Sequence, residues 1–351
     1  MSFELEITAR CNNNCRHCYI NLPAADSHAR KNELSINQIS DIADQAVAMG
    51  GLWCLISGGE PLLRKDFPDI YMMLKKKGLL VSVFTNACLV TPKTVALFKQ
   101  FPPRDIEVSV YGASAAIYEK VTRQPGSYEA FRRGLDLLIA AGIKIRLKAM
   151  AMRSNIVALP DIAAFCRRHT KDYFRFDPLL HFRFDRNAAR NSEILAERLT
   201  PEEIAMAEQS DGERVQALQK NCDTYIFPDR HHKDCAHIFH CGAGRNSFSV
   251  SPDGYFRLCS SLWHPNCVYD LKKGTLADAW ERLAPQVLGM TSDNPEFQQK
   301  CHNCSIVNLC LWCPANAYLE TGRLDTWCEY FCQVAHARAK ALKKTIKQKK
   351  R

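Results

Sequence analysis

Apolar and polar positions alternate over residues 3–8 as in a strand with one wet face. Ser35 then caps a helix, with Gln38 three residues on, and Ile36, Ile39, Ile42, Ala43, Ala46 and Val47 recur at helical spacing. A short apolar run over 52–56 ends at Ser57-Gly58-Gly59, a helix-like stretch follows to Lys77, and a third strand over 79–84 ends at Thr85-Asn86. The pattern continues with strands over 106–110, 143–149 and 173–177, separated by helices over 128–140 and 159–168. Six strands with intervening helices predict an α/β fold whose parallel sheet winds into an open or closed barrel, with function at the C-terminal strand ends.

After about Asp185 the pattern changes. Residues 187–220 read as polar helix and connector, with Thr200 and Pro201 opening a helix at Glu202. From Cys222 onward Cys, His, Gly and Trp become dense and the amphipathic runs short. A small loop-rich unit of this composition buries little apolar surface, so other bonds must hold it together.

A chain of 351 residues that is 46% hydrophobic and 24% charged is no disordered polymer, and 16 Gly with 16 Pro exclude collagen-like classes. No apolar run approaches the roughly 20 residues of a membrane span, and Glu4 and Glu6 stand where a signal peptide needs an apolar core. A cytoplasmic location and no membrane or nucleic-acid partner are therefore expected. Seventeen cysteines then need a role other than disulfides, and metal is the leading one. Of the formal charge of +10, eight charges fall in the last fourteen residues, from Arg338 through Lys340 to Arg351, and read as a helix end fraying into a solvated tail.

Cys11, Cys15 and Cys18 lie within eight residues directly after the first strand. Three thiolates in a short loop hold three corners of a cubane cluster and leave one iron open. Zinc competes, with His17 as a fourth donor, although His17 adjoins Cys18 and adjacent side chains rarely point at one metal. Ser57-Gly58-Gly59-Glu60-Pro61 places two glycines where a ligand can approach backbone closely, beside carbonyls and a carboxylate able to receive an ammonium group.

The CxxxCxxC loop after a first strand, with this Gly-Gly-Glu turn after the second, resembles the radical S-adenosylmethionine (SAM) superfamily. The resemblance implies a partial (β/α)6 TIM-like barrel over 1–190, a 4Fe-4S cluster on Cys11, Cys15 and Cys18, and SAM held near Gly58, Gly59 and Glu60. Asn86 in Thr85-Asn86-Ala87, Ser109 at the fourth strand end, Arg123 and His17 are further candidate SAM contacts, with Tyr111 replacing a commonly acidic neighbour of Ser109. Asn155 and Lys148 are weaker candidates.

In the C-terminal part, Cys301, Cys304, Cys310 and Cys313 read CxxCx5CxxC, preceded by Cys235, Cys241 and the Gly254-x4-Cys259 unit and followed by Cys328 and Cys332. This order resembles the SPASM extension, a small α+β domain that carries two auxiliary 4Fe-4S clusters in peptide-modifying enzymes. After a helical connector over 191–234, the domain spans 235–335 and a basic tail 336–351. The resemblance places Cys235, Cys241, Cys259 and Cys313 on the first auxiliary cluster and Cys301, Cys304, Cys310 and Cys328 on the second. The two-residue gap before Cys313, where three are usual, leaves Cys332 or Cys267 as substitutes for it. Zinc remains a rival here too, since paired CxxC units are its common signature.

Trp312 and Trp327 are expected to shield cluster cysteines, His181 and Asp177 stand near the sixth strand end, and His231, His232, His237 and His240 are poor ligand candidates. Cys54, Cys88, Cys166 and Cys222 read as small core residues. The resemblance implies modification of a peptide or protein side chain and a reductant such as flavodoxin or ferredoxin; since only ten residues precede Cys11, a substrate with a leader peptide would need a separate peptide-recognition protein or the SPASM surface to hold it. Ser260 stands where sulfatase-maturing relatives have an aspartate, which disfavours that activity. A small-molecule or tetrapyrrole substrate is the first rival, and a non-catalytic electron carrier or scaffold the second.

Overall fold

The structure, a computed structural model, describes residues 1–172, 174–225, 237–302, 304–306, 309–310 and 312–349, with backbone alone for 219–225, 302 and 343–349. Its main sheet has nine strands: β1 (Ser2–Glu6), β2 (Trp53–Ser57), β3 (Leu80–Thr85), β4 (Asp105–Val110), β5 (Ile145–Met150), β6 (Arg175–Asp177), β7 (Ser247–Val250), β8 (Tyr255–Arg257) and β9 (Val268–Asp270). The first six pair in parallel in chain order, as the alternating pattern predicts. All six strands expected from the sequence are present, each within a few residues of its expected bounds.

Helices fill the crossovers: α1 (Ile36–Ala48), α2 (Phe67–Lys76), α3 (Pro92–Gln100), α4 (Ala115–Thr122), α5 (Ser127–Ala140) and α6 (Leu159–His169). The Ser35/Gln38 capping box forms at the start of α1, and its apolar stripe Ile39, Ile42, Ala43 and Ala46 is buried. The sequence reading lacked α3 and α4, whose eight or nine residues are too short for a strong period.

Two features differ from expectation. The polar face of β1 is not wet: Phe3 stacks on Phe248 at 5.5 Å, while on the opposite face Glu4 accepts from Ser57 at 2.5 Å and Ser249 at 2.8 Å. Nor is the C-terminal part a separate sheet. β7 pairs in parallel with β1, Ser2 facing Ser247 and Leu5 facing Val250. Antiparallel β8 and β9 then extend the same sheet beyond β7.

Helices α7 (Ala188–Glu197), α8 (Pro201–Gln209) and α9 (Gly212–Tyr225) form the connector, and α10 (Pro314–Thr321) and α11 (Glu329–Lys349) end the chain. The solvated tail is corrected at its first charge. Arg338 is buried on α11, donating to both carboxylate oxygens of Glu208 on α8 at 2.9 Å and to the Leu309 carbonyl. No helix among the described residues is long and apolar enough to cross a membrane.

Candidate active site and auxiliary thiol groups

The site forms where β1, β2 and β3 end. Gly58 and Gly59 leave β2 in a turn that runs hard against residues 8–10. A Cβ on Gly58 would stand 2.2 Å from the Thr8 carbonyl oxygen, one on Gly59 2.4 Å from that of Arg10, and Gly58 holds φ +137°. Only glycine fits such an approach. The Gly59 and Glu60 N–H groups donate to those two carbonyls at 2.7 and 2.9 Å, so the turn and the root of the cysteine loop are one unit.

Glu60 is held by three protein donors. Its carboxylate is fully buried and accepts from the Leu62 N–H at 3.1 Å, the Thr85 hydroxyl at 2.8 Å and the Asn86 N–H at 2.8 Å. Burial raises its pKa from the ordinary 4.5 to about 7, against the lowering by these three hydrogen bonds. With those partners it pins the β2 turn to the end of β3.

The cysteine loop is held from three sides. Its Asn14 and Arg16 N–H groups donate to the Thr122 and Val121 carbonyls at the end of α4. Arg190 donates to the Cys15 carbonyl at 3.0 Å, and Arg183 to the Cys18 and Asn21 carbonyls at 3.4 and 3.1 Å. N–H groups of Asn13 and Asn21 reach the sulfurs of Cys11 and Cys18, each at 3.4 Å.

Burial raises the Cys11 and Cys15 thiols far above their usual range. The Glu60 charge adds to this at Cys11, and the charges of Cys18 and Cys11 add to it at Cys15. Two buried thiols and the half-buried Cys18, which repel one another as anions, are a ready seat for a cationic iron centre, whose attraction for each thiolate offsets that repulsion.

Asn86 donates its side-chain amide to the Asn12 oxygen at 2.9 Å and lies 3.7 Å from the Cys11 sulfur. Tyr111 stands beside Ser109 and Cys15. His17 is half-buried, with its ring 5.1 Å from that of Tyr111. Burial, then the Arg190 charge, lowers its pKa to about 4, so it is neutral at pH 7.

Arg123 caps α4 with φ +54° and is engaged by Glu193 at 2.7 and 2.9 Å. Binding a SAM carboxylate would require it to exchange that partner. The Asn155 side chain clamps backbone, donating to the Tyr111 and Met150 carbonyls and accepting from the Met152 N–H. Lys148 lines a cavity with Asp105, Lys144 and Arg175, at the opposite end of the strands. His181 lies against Phe331 of α11, and the Asp177 carboxylate accepts from the Leu179 N–H at 3.1 Å.

Cys88 is the residue that sequence reasoning misplaced. It is half-buried rather than core, its sulfur 3.9 Å from the Asn13 amide of the cysteine loop. Its position two residues past Asn86, at the same strand end, was the available signal. Cys54 and Cys166 are buried as expected, and the Cys222 side chain, His231 and His232 lie outside the described residues.

The C-terminal thiols form two groups. Cys241, Cys259 and Cys313 act on one another: burial first, then Cys259 and Cys241, raises the Cys313 thiol to about 12. Cys235, the expected fourth member, lies outside the described residues. Cys267 is buried in the main core near Cys259.

A second cavity is lined by Cys301, Cys304, Cys310, Cys328 and Cys332, with Trp312 and Trp327 also in its wall. Trp312 is fixed by donating to the Thr326 carbonyl at 2.8 Å, and Lys300 sits 3.8 Å over the Trp327 ring. Among the described residues no three of His, Cys, Asp or Glu converge tightly enough for a single metal ion.

Residues 5–169 match the radical SAM superfamily. An AdoMet-dependent heme synthase of Methanosarcina barkeri is 24% identical over 340 residues, 90% of this chain and 92% of that protein. The mycofactocin maturase MftC of Mycobacterium tuberculosis is 25% identical over 313 residues, 87% of this chain and 75% of that one. In fold the chain is similar to SuiB of Streptococcus suis bound to its precursor peptide SuiA, with TM-score 0.71, 13% identity, and coverage of 95% of this chain and 75% of that one.

Proposed function

The chain belongs to the radical SAM superfamily, and from that premise we propose that it modifies a peptide or protein side chain by radical chemistry. The observation that carries the reading is the meeting of the three-thiol loop, the Gly58-Gly59 turn and Asn86 at the ends of three adjacent strands. Cys11, Cys15 and Cys18 hold a 4Fe-4S cluster. The carbonyls of the β2 turn receive the methionine ammonium of SAM, and Ser109 and Arg123 stand along the same strand ends for its ribose and carboxylate. When bound, the cluster and SAM together supply a 5′-deoxyadenosyl radical after one-electron cleavage of the sulfonium, the electron coming from a flavodoxin or ferredoxin. The residues around the loop keep it dry, since Cys11 and Cys15 are 8% and 6% exposed.

The C-terminal thiols would hold two further 4Fe-4S clusters, which would supply one-electron acceptors near the substrate. Support for a peptide substrate comes from the likeness to a mycofactocin maturase and to the fold of a peptide-bound enzyme. A tetrapyrrole substrate is the second reading, favoured by the heme synthase likeness, which spans nearly the whole of both chains.

The test is 5′-deoxyadenosine release from SAM by anaerobically reconstituted, reduced protein, with Cys18→Ala as control. Release that vanishes in the variant is the expected result, and its stimulation by candidate peptides rather than by iron-coproporphyrin separates the two substrates. Protein that holds its cluster yet releases nothing with either substrate would leave only an electron carrier or scaffold.

A further inference from the structure

We propose that the inner face of the sheet takes a substrate carrying a carboxylate beside an apolar group, and that Lys148 and Arg175 hold the carboxylate. This deepens the reading above and rests on it. Leu147 and Ala149 of β5 and Phe176 of β6 are buried in the core, so Lys148, Arg175 and Asp177 share the opposite face. Lys148 and Arg175 are register partners on these parallel strands and line one cavity of about 370 Å³. Two cations side by side on one face repel each other. The nearby acids do not relieve them. Asp105 and Asp172 pair with Arg146 at 4.0 and 3.7 Å, and the Asp177 carboxylate accepts from the Leu179 N–H. Glu107 also stands in the wall, yet among the described residues neither Lys148 nor Arg175 forms an ion pair. A carboxylate between the two would offset their repulsion and accept from both.

The neighbours of this pair set the rest of the substrate. Arg104 lines both this cavity and an adjoining one of about 260 Å³. In the second, Trp53 and Leu80, register partners on β2 and β3, are 42% and 40% exposed, an apolar surface left for an apolar group to cover. Cys259 of the first auxiliary thiol group lines that same cavity. On the other side, Lys148 is the register partner of Ser109 at the end of β4. The anchored carboxylate therefore lies one strand from Ser109, and the apolar group extends from there toward Cys259. An acidic or C-terminal residue of a peptide and a carboxylate side arm of a tetrapyrrole share this chemistry.

Full-length, anaerobically reconstituted protein with SAM is titrated calorimetrically with two matched pairs of probes: the N-acetyl dipeptide amides Phe-Glu and Phe-Gln, and iron-coproporphyrin III and its tetramethyl ester. In one pair the carboxylate form should bind about tenfold tighter than its neutral counterpart. That preference should shrink as salt rises from about 0.05 to 0.5 M. Lys148→Met and Arg175→Met should each remove most of it and leave the affinities for the neutral probe and for SAM unchanged, while Lys148→Arg keeps it. No preference in either pair overturns the assignment, and the wild-type protein alone decides this even if a variant fails to fold. A preference that survives both Met variants, or loss of SAM binding in Lys148→Met, overturns it too. A preference confined to the porphyrin pair keeps the carboxylate site and overturns the peptide reading. Failure of the site while peptides still stimulate 5′-deoxyadenosine release leaves that reading standing.

Discussion

Glu60 directly follows the glycine pair that any reading of the chain singles out, but two of its three partners come 25 and 26 residues later, at the end of the next strand. Proximity in sequence exposed the glycines and hid what the carboxylate does. Its raised pKa has a consequence for stability. Between the ordinary 4.5 and about 7 the folded protein keeps a proton that the unfolded chain has released. Folding stability contributed by this group therefore falls as pH rises through that window and levels off above it. Thermal melts of the apoprotein from pH 4.5 to 8 should show this slope, flattened in Glu60→Gln. That variant also sets an amide nitrogen against a backbone N–H, an offset of about 1–3 kcal/mol that does not vary with pH. An unchanged slope would mean that Glu60 is ionised throughout. Ala87 shows the reverse case: a small departure in sequence, from the glycine of the related motif, places a side chain at φ +61° in a fully buried strand end.

Helix α11 illustrates how a run of charge misleads at the level of the element. Phe331, Val334, Ala335, Arg338, Ala339 and Leu342 form one buried face at helical spacing, and Arg338 belongs to it despite its charge. It is accepted there because Glu208 of α8 is equally buried and also pairs with Arg214 at 2.7 Å. Removing Arg338 leaves the buried Glu208 carboxylate with Arg214 alone, so Arg338→Ala should cost about 1–3 kcal/mol in urea unfolding. Lys340→Ala, on the exposed side of the same helix, should change stability by about 0.5 kcal/mol or less. Equal small effects would show that α11 is not docked on α8. The density of lysine after residue 340 masked the one arginine that carries a tertiary contact.

At the scale of the molecule, β1 is an interior strand, with β2 on one side and β7, more than 200 residues later, on the other. The buried pair of Glu6 and Arg257, with the guanidinium 3.9 Å over the Trp263 ring, ties β1 to β8 across β7. A fragment of residues 1–190 should therefore scatter more light than the full chain at equal concentration, because the open edge of β1 offers unpaired backbone to other copies. A monomeric, cooperatively melting fragment would show that the first six strands suffice alone. The sequence by itself determined the succession of strands and helices, the thiol loop and the glycine turn, because each is written in residues a few positions apart that obey one local period or one backbone constraint. Only the tertiary structure decided that the C-terminal hairpin extends the core sheet, that Glu60 bridges two strand ends, that Arg338 is buried, and which C-terminal thiols share a cavity. Those outcomes come from strand pairing and burial between segments distant in the chain, where the energy depends on who the neighbour is and no local pattern records it.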